Sequence, residues 1–276
     1  MIELNPVTYN EVPTFSDIVN SKYNPRKTRL LEEVASVESR TDLQRISFLA
    51  ESQLSIVQVS DTVKEDLQHC FTVHTQPFLE IQNAIYSPKC NPTGQCGYCV
   101  VDTAKTIDHY LPKEEYPEFS VMSENLVPCC GHCNSKKKTS SLVFGSIFNP
   151  YYSSIRISQF IQCSLSLTDN ILTPSYSFIE SDDTRAHLGL LHSHDEKFSV
   201  LKKFKDKAGL LLPEELGSIE IYNVCMNTDT VVNLYRQREK ISIKNEGANH
   251  WRPALYGSIA SYLSLPGNFP LILSHN

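Results

Sequence analysis

Two Cys-x-x-Cys doublets constrain this chain more than any other feature: Cys96 with Cys99, and Cys130 with Cys133. Four thiolates arranged in this way enclose one zinc ion in a closed tetrahedral site, with no position left for water or substrate. Such an ion staples a segment too small to have a core of its own. Thirty residues separate the doublets. A plain ribbon has roughly 15–20, so something is inserted. The insert carries Asp108-His109 and Asn125, and Asn134 directly follows the last cysteine. Cys129 is a one-residue alternative to Cys130, but Cys130 restores the x-x spacing with Cys133. Cys90 and Cys129 then read as spectators.

The wider composition bounds the possibilities. The stretch MIELNPVTYNEVPTF has no basic region followed by an apolar run, so no secretory leader is expected. No stretch approaches ~18 apolar residues, the length of a membrane span. A cytoplasmic, reducing location is therefore expected, where nine cysteines are metal ligands before they are disulfides. The net charge of -6 argues against holding nucleic acid by bulk positive charge.

Residues 1–89 read as helical. Asn24-Pro25 opens a helix with Leu30, Leu31 and Val34 at helical spacing. A second run from Thr41 carries Leu43, Ile46, Leu49 and Ala50, then Leu54. A third covers 61–85, with Val63, Leu67, Cys70 and Phe71, and is broken by Pro77. Arg26, Lys27 and Arg29 form a basic cluster whose plainer reading is a solvated helix face rather than a phosphate contact.

Residues 90–152 contain a turn at 90–95, a strand at 105–110, a loop from Pro112 to Glu118, a strand at Leu126-Val127 ended by Pro128, and a helix from Gly131. Past Ser141, residues 153–276 read as mixed α/β: strands at 155–167 and 175–179, and helices at 184–212 and 228–244. A last helix at 251–265 carries Leu255, Ile259 and Leu263, and stops at Pro266-Gly267. No linker is evident, so the two flanks are expected to wrap the cysteine segment as one α+β body.

The insert suggests hydrolysis. Asp108 offers a carboxylate and Asn134 an amide oxygen, and two protein oxygens completed by waters and a phosphate suit Mg2+. His109 can take a proton near neutral pH. Phosphodiester hydrolysis needs such a base, and a cation to neutralise the phosphate and the leaving oxygen. Neighbours on a strand face opposite ways, so Asp108 and His109 share a site only if the strand ends or bends there. Asn125 is then expected to hydrogen-bond across the loop and steady His109. Each element also has a plainer reading. The Asp-His pair can be surface plus packing, Asn125 a turn residue, Lys136, Lys137 and Lys138 a solvated helix face, and the ribbon a non-catalytic module binding nucleic acid or protein.

Taken in order, Cys96, Cys99, Asp108, His109, Asn125, Leu126, Cys130, Cys133, Asn134 and Lys137 resemble the pattern of HNH endonucleases, the ββα-metal nucleases, in their zinc-ribbon form. The resemblance covers roughly residues 90–152. It implies His109 as general base, Mg2+ or Mn2+ on Asp108 and Asn134, Asn125 as the residue that orients the loop, and Lys137 as the closing motif residue. The last metal ligand of that family is often His; here it is Asn134, a variant the family also uses. The stretch from Ile107 to Asn134, with Asn149-Pro150-Tyr151-Tyr152, is similar more narrowly to HNH proteins of bacterial anti-phage defence systems of the Septu and retron-associated type. DNA is the substrate the resemblance implies. RNA stays open, because none of these residues reads the sugar.

That resemblance also implies a partner ATPase, and charge points the same way. Between residues 100 and 141, Lys105, Lys113, Lys136, Lys137 and Lys138 stand against Asp102, Asp108, Glu114, Glu115, Glu118 and Glu124. A segment with no basic excess neutralises few phosphates by itself. The alternative is a basic groove assembled in three dimensions from residues such as Arg26, Lys27, Arg236 and Arg238.

Overall fold

The structure is a computed structural model and describes residues 4–7, 9–52, 54–138, 146–153, 159–169 and 171–266. The chain divides into two compact units. One comprises residues 3–98 and 102–154; the other runs from 155 onward and takes in 99–101. Among the described residues the fold is mixed α+β, with ten α-helices and two small antiparallel sheets.

In the first unit, α1 (Phe15–Asn20), α2 (Arg26–Leu49), α3 (Asp61–Thr72) and α4 (Gln76–Tyr86) precede a hairpin of β1 (Thr106–His109) and β2 (Leu126–Cys129), followed by α5 (Gly131–Lys138). The helix ends follow local chemistry. Thr14 and Asp17 form a reciprocal capping box on α1, and the Ser60 hydroxyl accepts from Val63 N at the start of α3. Pro77 lies in the first turn of α4, where its missing N–H removes no helical bond. The break between α3 and α4 therefore falls just before it.

The two helices expected between Asn24 and Leu54 are a single helix of 24 residues. Its buried side is Leu30, Val37, Gln44, Ser47 and Phe48, whereas Leu43, Ile46 and Leu49 are 49%, 63% and 72% exposed. The apolar spacing in the sequence is real but turns outward. Phe48 fixes the inward side, stacking on Tyr152 with ring centroids 5.4 Å apart and meeting Tyr110 edge-on at 5.9 Å. Two of the three cations in the basic cluster at the start of α2 are held in ion pairs rather than simply solvated. Arg26 and Arg29 converge on the buried Asp66 of α3 at 2.7 and 2.6 Å.

β1 and β2 pair antiparallel, Thr106 opposite Cys129 and His109 opposite Leu126. Pro128 does not end β2. It sits within it, opposite Ile107, which a two-stranded sheet permits because each strand has a free edge needing no N–H donor.

The second unit holds the hairpin of β3 (Ile161–Thr168) and β4 (Ile171–Phe178), then α6 (Asp182–Arg185), α7 (Leu188–Phe198), α8 (Val200–Cys225), α9 (Thr228–Glu246) and α10 (Trp251–Ser264). Leu255, Ile259 and Leu263 are buried, and α10 packs on β3 and α9. The helix expected over 184–212 is interrupted at Ser199, which takes φ 53°, and then continues through Pro213 to Cys225. Arg236 pairs with Glu239 and Arg238 with Glu215. With Arg26 bound to Asp66, three of the four residues expected to line a basic groove are neutralised inside their own units. The strand start at Ile155 and the stop at Gly267 lie outside the described residues. Among the described residues, no helix is long and apolar enough to cross a membrane.

Candidate active site

The sulfurs of Cys96, Cys99, Cys130 and Cys133 lie within 4.8 Å of one another, and all four residues are buried. Zinc–sulfur bonds of about 2.3 Å make a tetrahedron with edges of about 3.8 Å, so the cluster is the right size for one ion. Backbone donors shape both doublets: Cys133 N reaches Cys130 Sγ at 3.4 Å, and Cys96 N reaches Asp102 O at 2.8 Å. Gly97 is closely enclosed. A Cβ there would stand 2.9 Å from Leu4 Cδ1 and 3.0 Å from Val127 Cγ1. Cys129 and Cys90 stand aside, beside Thr106 Oγ1 and Tyr151 Oη. Burial pushes the Cys90 thiol up to about 11, so it stays protonated.

β1 ends at His109, so the alternation of strand faces stops there, and Asp108 and His109 are both buried. His109 Nε2 lies 2.9 Å from Ser120 O. A carbonyl only accepts, so Nε2 carries the proton and Nδ1 the lone pair. The Phe71 ring meets the imidazole with centroids 4.3 Å apart at 62°. Asp108 Oδ2 accepts from Tyr98 Oη at 2.7 Å and pairs with Lys137 Nζ at 2.8 Å. Burial and the Asp108 charge hold the Tyr98 phenol well above its ordinary range, so it remains a donor.

α5 lies over the end of β1. Lys137 also donates to His109 O and is only 4% exposed, which sets it apart from the solvated face that a run of lysines suggests. One turn earlier, Asn134 Nδ2 donates to Ile107 O at 3.4 Å. Its Oδ1 is buried with no hydrogen-bond partner, a costly arrangement for an acceptor. A divalent cation would satisfy it, and an amide oxygen with a nearby carboxylate is a donor set that suits Mg2+ or Mn2+.

Asn125 is fully buried. Its Oδ1 accepts from Leu111 N at 2.7 Å, and its Nδ2 donates to Leu111 O and Phe119 O, both at 3.1 Å. Phe119 precedes Ser120, on which the imidazole rests, so one amide closes both ends of the inserted loop. Sequence reasoning missed two contributors. Tyr98 had a signal, its place between Cys96 and Cys99. Ser120 acts through its backbone carbonyl and leaves none.

No family model matches the sequence, and no solved structure matches it significantly. The chain is 24% identical to protein ea31 of Escherichia phage lambda over 187 residues, which is 60% of this chain and 62% of that protein. It is 32% identical to Septu protein PtuB of Bacillus thuringiensis over 89 residues, 32% of this chain and 34% of that protein. The chain thus covers less than two thirds of the length of either relative.

Proposed function

We propose that this chain is a metal-dependent HNH-type endonuclease that hydrolyses phosphodiester bonds of DNA and serves in bacterial anti-phage defence. The observation that carries the reading is the His109 imidazole at the end of β1, its Nε2 on Ser120 O, which makes Nδ1 the nitrogen that would take a water proton. Asp108, Asn134 and Lys137 gather at the same strand end. In this reading Asp108 and Asn134 Oδ1 hold Mg2+ or Mn2+. Such an ion neutralises the phosphate and the leaving oxygen. Lys137 and Tyr98 fix the Asp108 carboxylate, and Asn125 fixes the loop that orients His109. The four thiolates hold a structural zinc, which joins the doublet carrying Tyr98 to the helix carrying Asn134.

Similarity to Septu protein PtuB supports the defence role and, with it, a partner ATPase subunit. The pairing of Arg26, Arg29, Arg40, Arg45, Arg236 and Arg238 with acids of this chain supports the same dependence, since those guanidinium groups are already engaged and neutralise phosphates less readily. The test is nicking of a plasmid by purified protein with and without added Mg2+ or Mn2+, alongside His109→Ala, single-stranded DNA and RNA. Metal-dependent cleavage that His109→Ala abolishes supports the reading. A zinc-loaded wild type that cleaves none of these substrates, alone or with extract of its host, would make the chain a non-catalytic zinc module instead.

A further inference from the structure

We propose that Lys113 is a phosphate-contacting residue of this site, held beside His109 by the Phe71 ring; the proposal rests on the nuclease reading and adds a substrate subsite to it. The cations around the hairpin are mostly committed. Arg26 and Arg29 hold Asp66, Arg40 holds Glu118, Arg45 holds Glu124 and Lys137 holds Asp108. Lys22 is spent on the Val73 carbonyl.

Lys113 is placed differently. Its Nζ stands over the Phe71 ring, 5.3 Å from the centroid, and the same ring touches the His109 imidazole at 4.3 Å. One benzene ring therefore carries both the proton acceptor and an ammonium. Two contacts fix this arrangement. The Phe71 ring meets Phe78 of α4 edge-on at 5.3 Å, and Gln68 Nε2 of α3 donates to Lys113 O at 2.9 Å. Glu114 and Glu115 follow Lys113 on the exposed surface, yet no ion pair joins either to it. A cation–π contact is weak beside a charge-assisted bond to phosphate. The ring therefore positions the ammonium without competing for it, and a nucleic-acid strand with its scissile bond at His109 presents a neighbouring phosphate to Lys113.

The experiment compares wild type, Lys113→Gln, Lys113→Arg, Phe71→Leu and a control, Lys105→Gln, at the other end of β1. Binding to a labelled DNA duplex is titrated against salt without divalent metal, and plasmid cleavage is followed with Mg2+. Lys113→Gln is expected to lower the salt slope of binding by about 1 and to raise KM several-fold with kcat unchanged. Lys113→Arg should retain both values and Lys105→Gln should not match the loss. Phe71→Leu should raise KM and also shift the pH profile of kcat, since it releases the imidazole as well. A Lys113→Gln protein with wild-type slope and KM overturns the subsite, as does an equal loss in Lys105→Gln, which would reduce the effect to bulk charge. A wild type that neither binds nor cuts nucleic acid overturns the nuclease reading first, and the subsite with it.

Discussion

Arg45 of α2 donates to Glu124 at 2.6 Å across 79 residues of sequence, and Arg40, earlier on the same helix, does the same for Glu118 at 2.9 Å. Both carboxylates lie in the loop between β1 and β2, on either side of Ser120, and both are buried. The arginines of the helical region therefore hold the loop on which His109 rests. They also change the meaning of the charge count. Asp108, Glu118 and Glu124 are acids of the sequence but not of the surface.

Breaking the Arg45 pair should be costly. Arg45→Met leaves Glu124 buried with the Ser123 hydroxyl on its second oxygen, and removing one partner of such a pair typically costs roughly 3–5 kcal/mol. Arg45→Met with Glu124→Gln should recover most of that loss. Urea unfolding of the four proteins in the cycle measures the coupling, and additive losses would remove this pair from the account of the fold.

Each chain should retain one zinc. A Cys96→Ser, Cys133→Ser variant is expected to lose the ion and with it the ordered hairpin, since metal binding and folding are one equilibrium in such sites. Elemental analysis and circular dichroism read the two effects. Stoichiometric zinc in the double variant would refute the ligand assignment.

His109→Ala should reduce cleavage by ~10²–10⁴, the usual worth of a general base, while the protein still folds and keeps its zinc. Asp108→Ala and Asn134→Ala are expected to act through the divalent ion, so raising Mg2+ or Mn2+ should partly restore them and not His109→Ala. Equal rescue of all three by metal would contradict the separation of roles.

Asn125→Ala should lower both stability and activity. It strands the N–H and C=O of Leu111 in a buried loop and leaves the Phe119 carbonyl with Met122 N as its donor; each unsatisfied group costs about 1–3 kcal/mol. Asn125→Asp keeps the acceptor for Leu111 N but sets a buried carboxylate oxygen against the Leu111 and Phe119 carbonyls, so it should be no more stable than Asn125→Ala. Thermal melts rank the three proteins; Asn125→Ala melting with wild type would show the clamp to be dispensable.

Asp66 predicts an acid limb. Burial raises its carboxyl, but the hydrogen bonds and charges of Arg29 and Arg26 outweigh that and hold it below its ordinary value. A depressed folded-state pKa contributes stability that is whole above the unfolded value and fades as pH falls through the folded one. Asp66→Asn should therefore be less stable at neutral pH, with a flatter loss below about pH 4, where a free Asp titrates. Stability curves of unchanged shape would place the acid limb elsewhere.

The local features of this protein are determined by sequence alone. The doublets that cluster as thiols, the order strand, loop, strand, helix, the stop before Pro77 and the buried stripe of α10 all follow from spacing, turn chemistry and proline geometry, which act over a few residues. Long-range choices were decided by the tertiary structure. Periodicity places Leu43, Ile46 and Leu49 on one side of a helix but cannot tell which side faces inward; Phe48, Arg40 and Arg45 decided that by finding partners in the hairpin loop. The run Lys136-Lys137-Lys138 does not announce that its middle member is buried against Asp108. No property of a serine side chain reveals that the Ser120 carbonyl sets the tautomer of His109. The reason is the same in each case. Ion pairs, buried acceptors and backbone carbonyls depend on which segments meet in space, and that information is distributed over residues far apart in the chain.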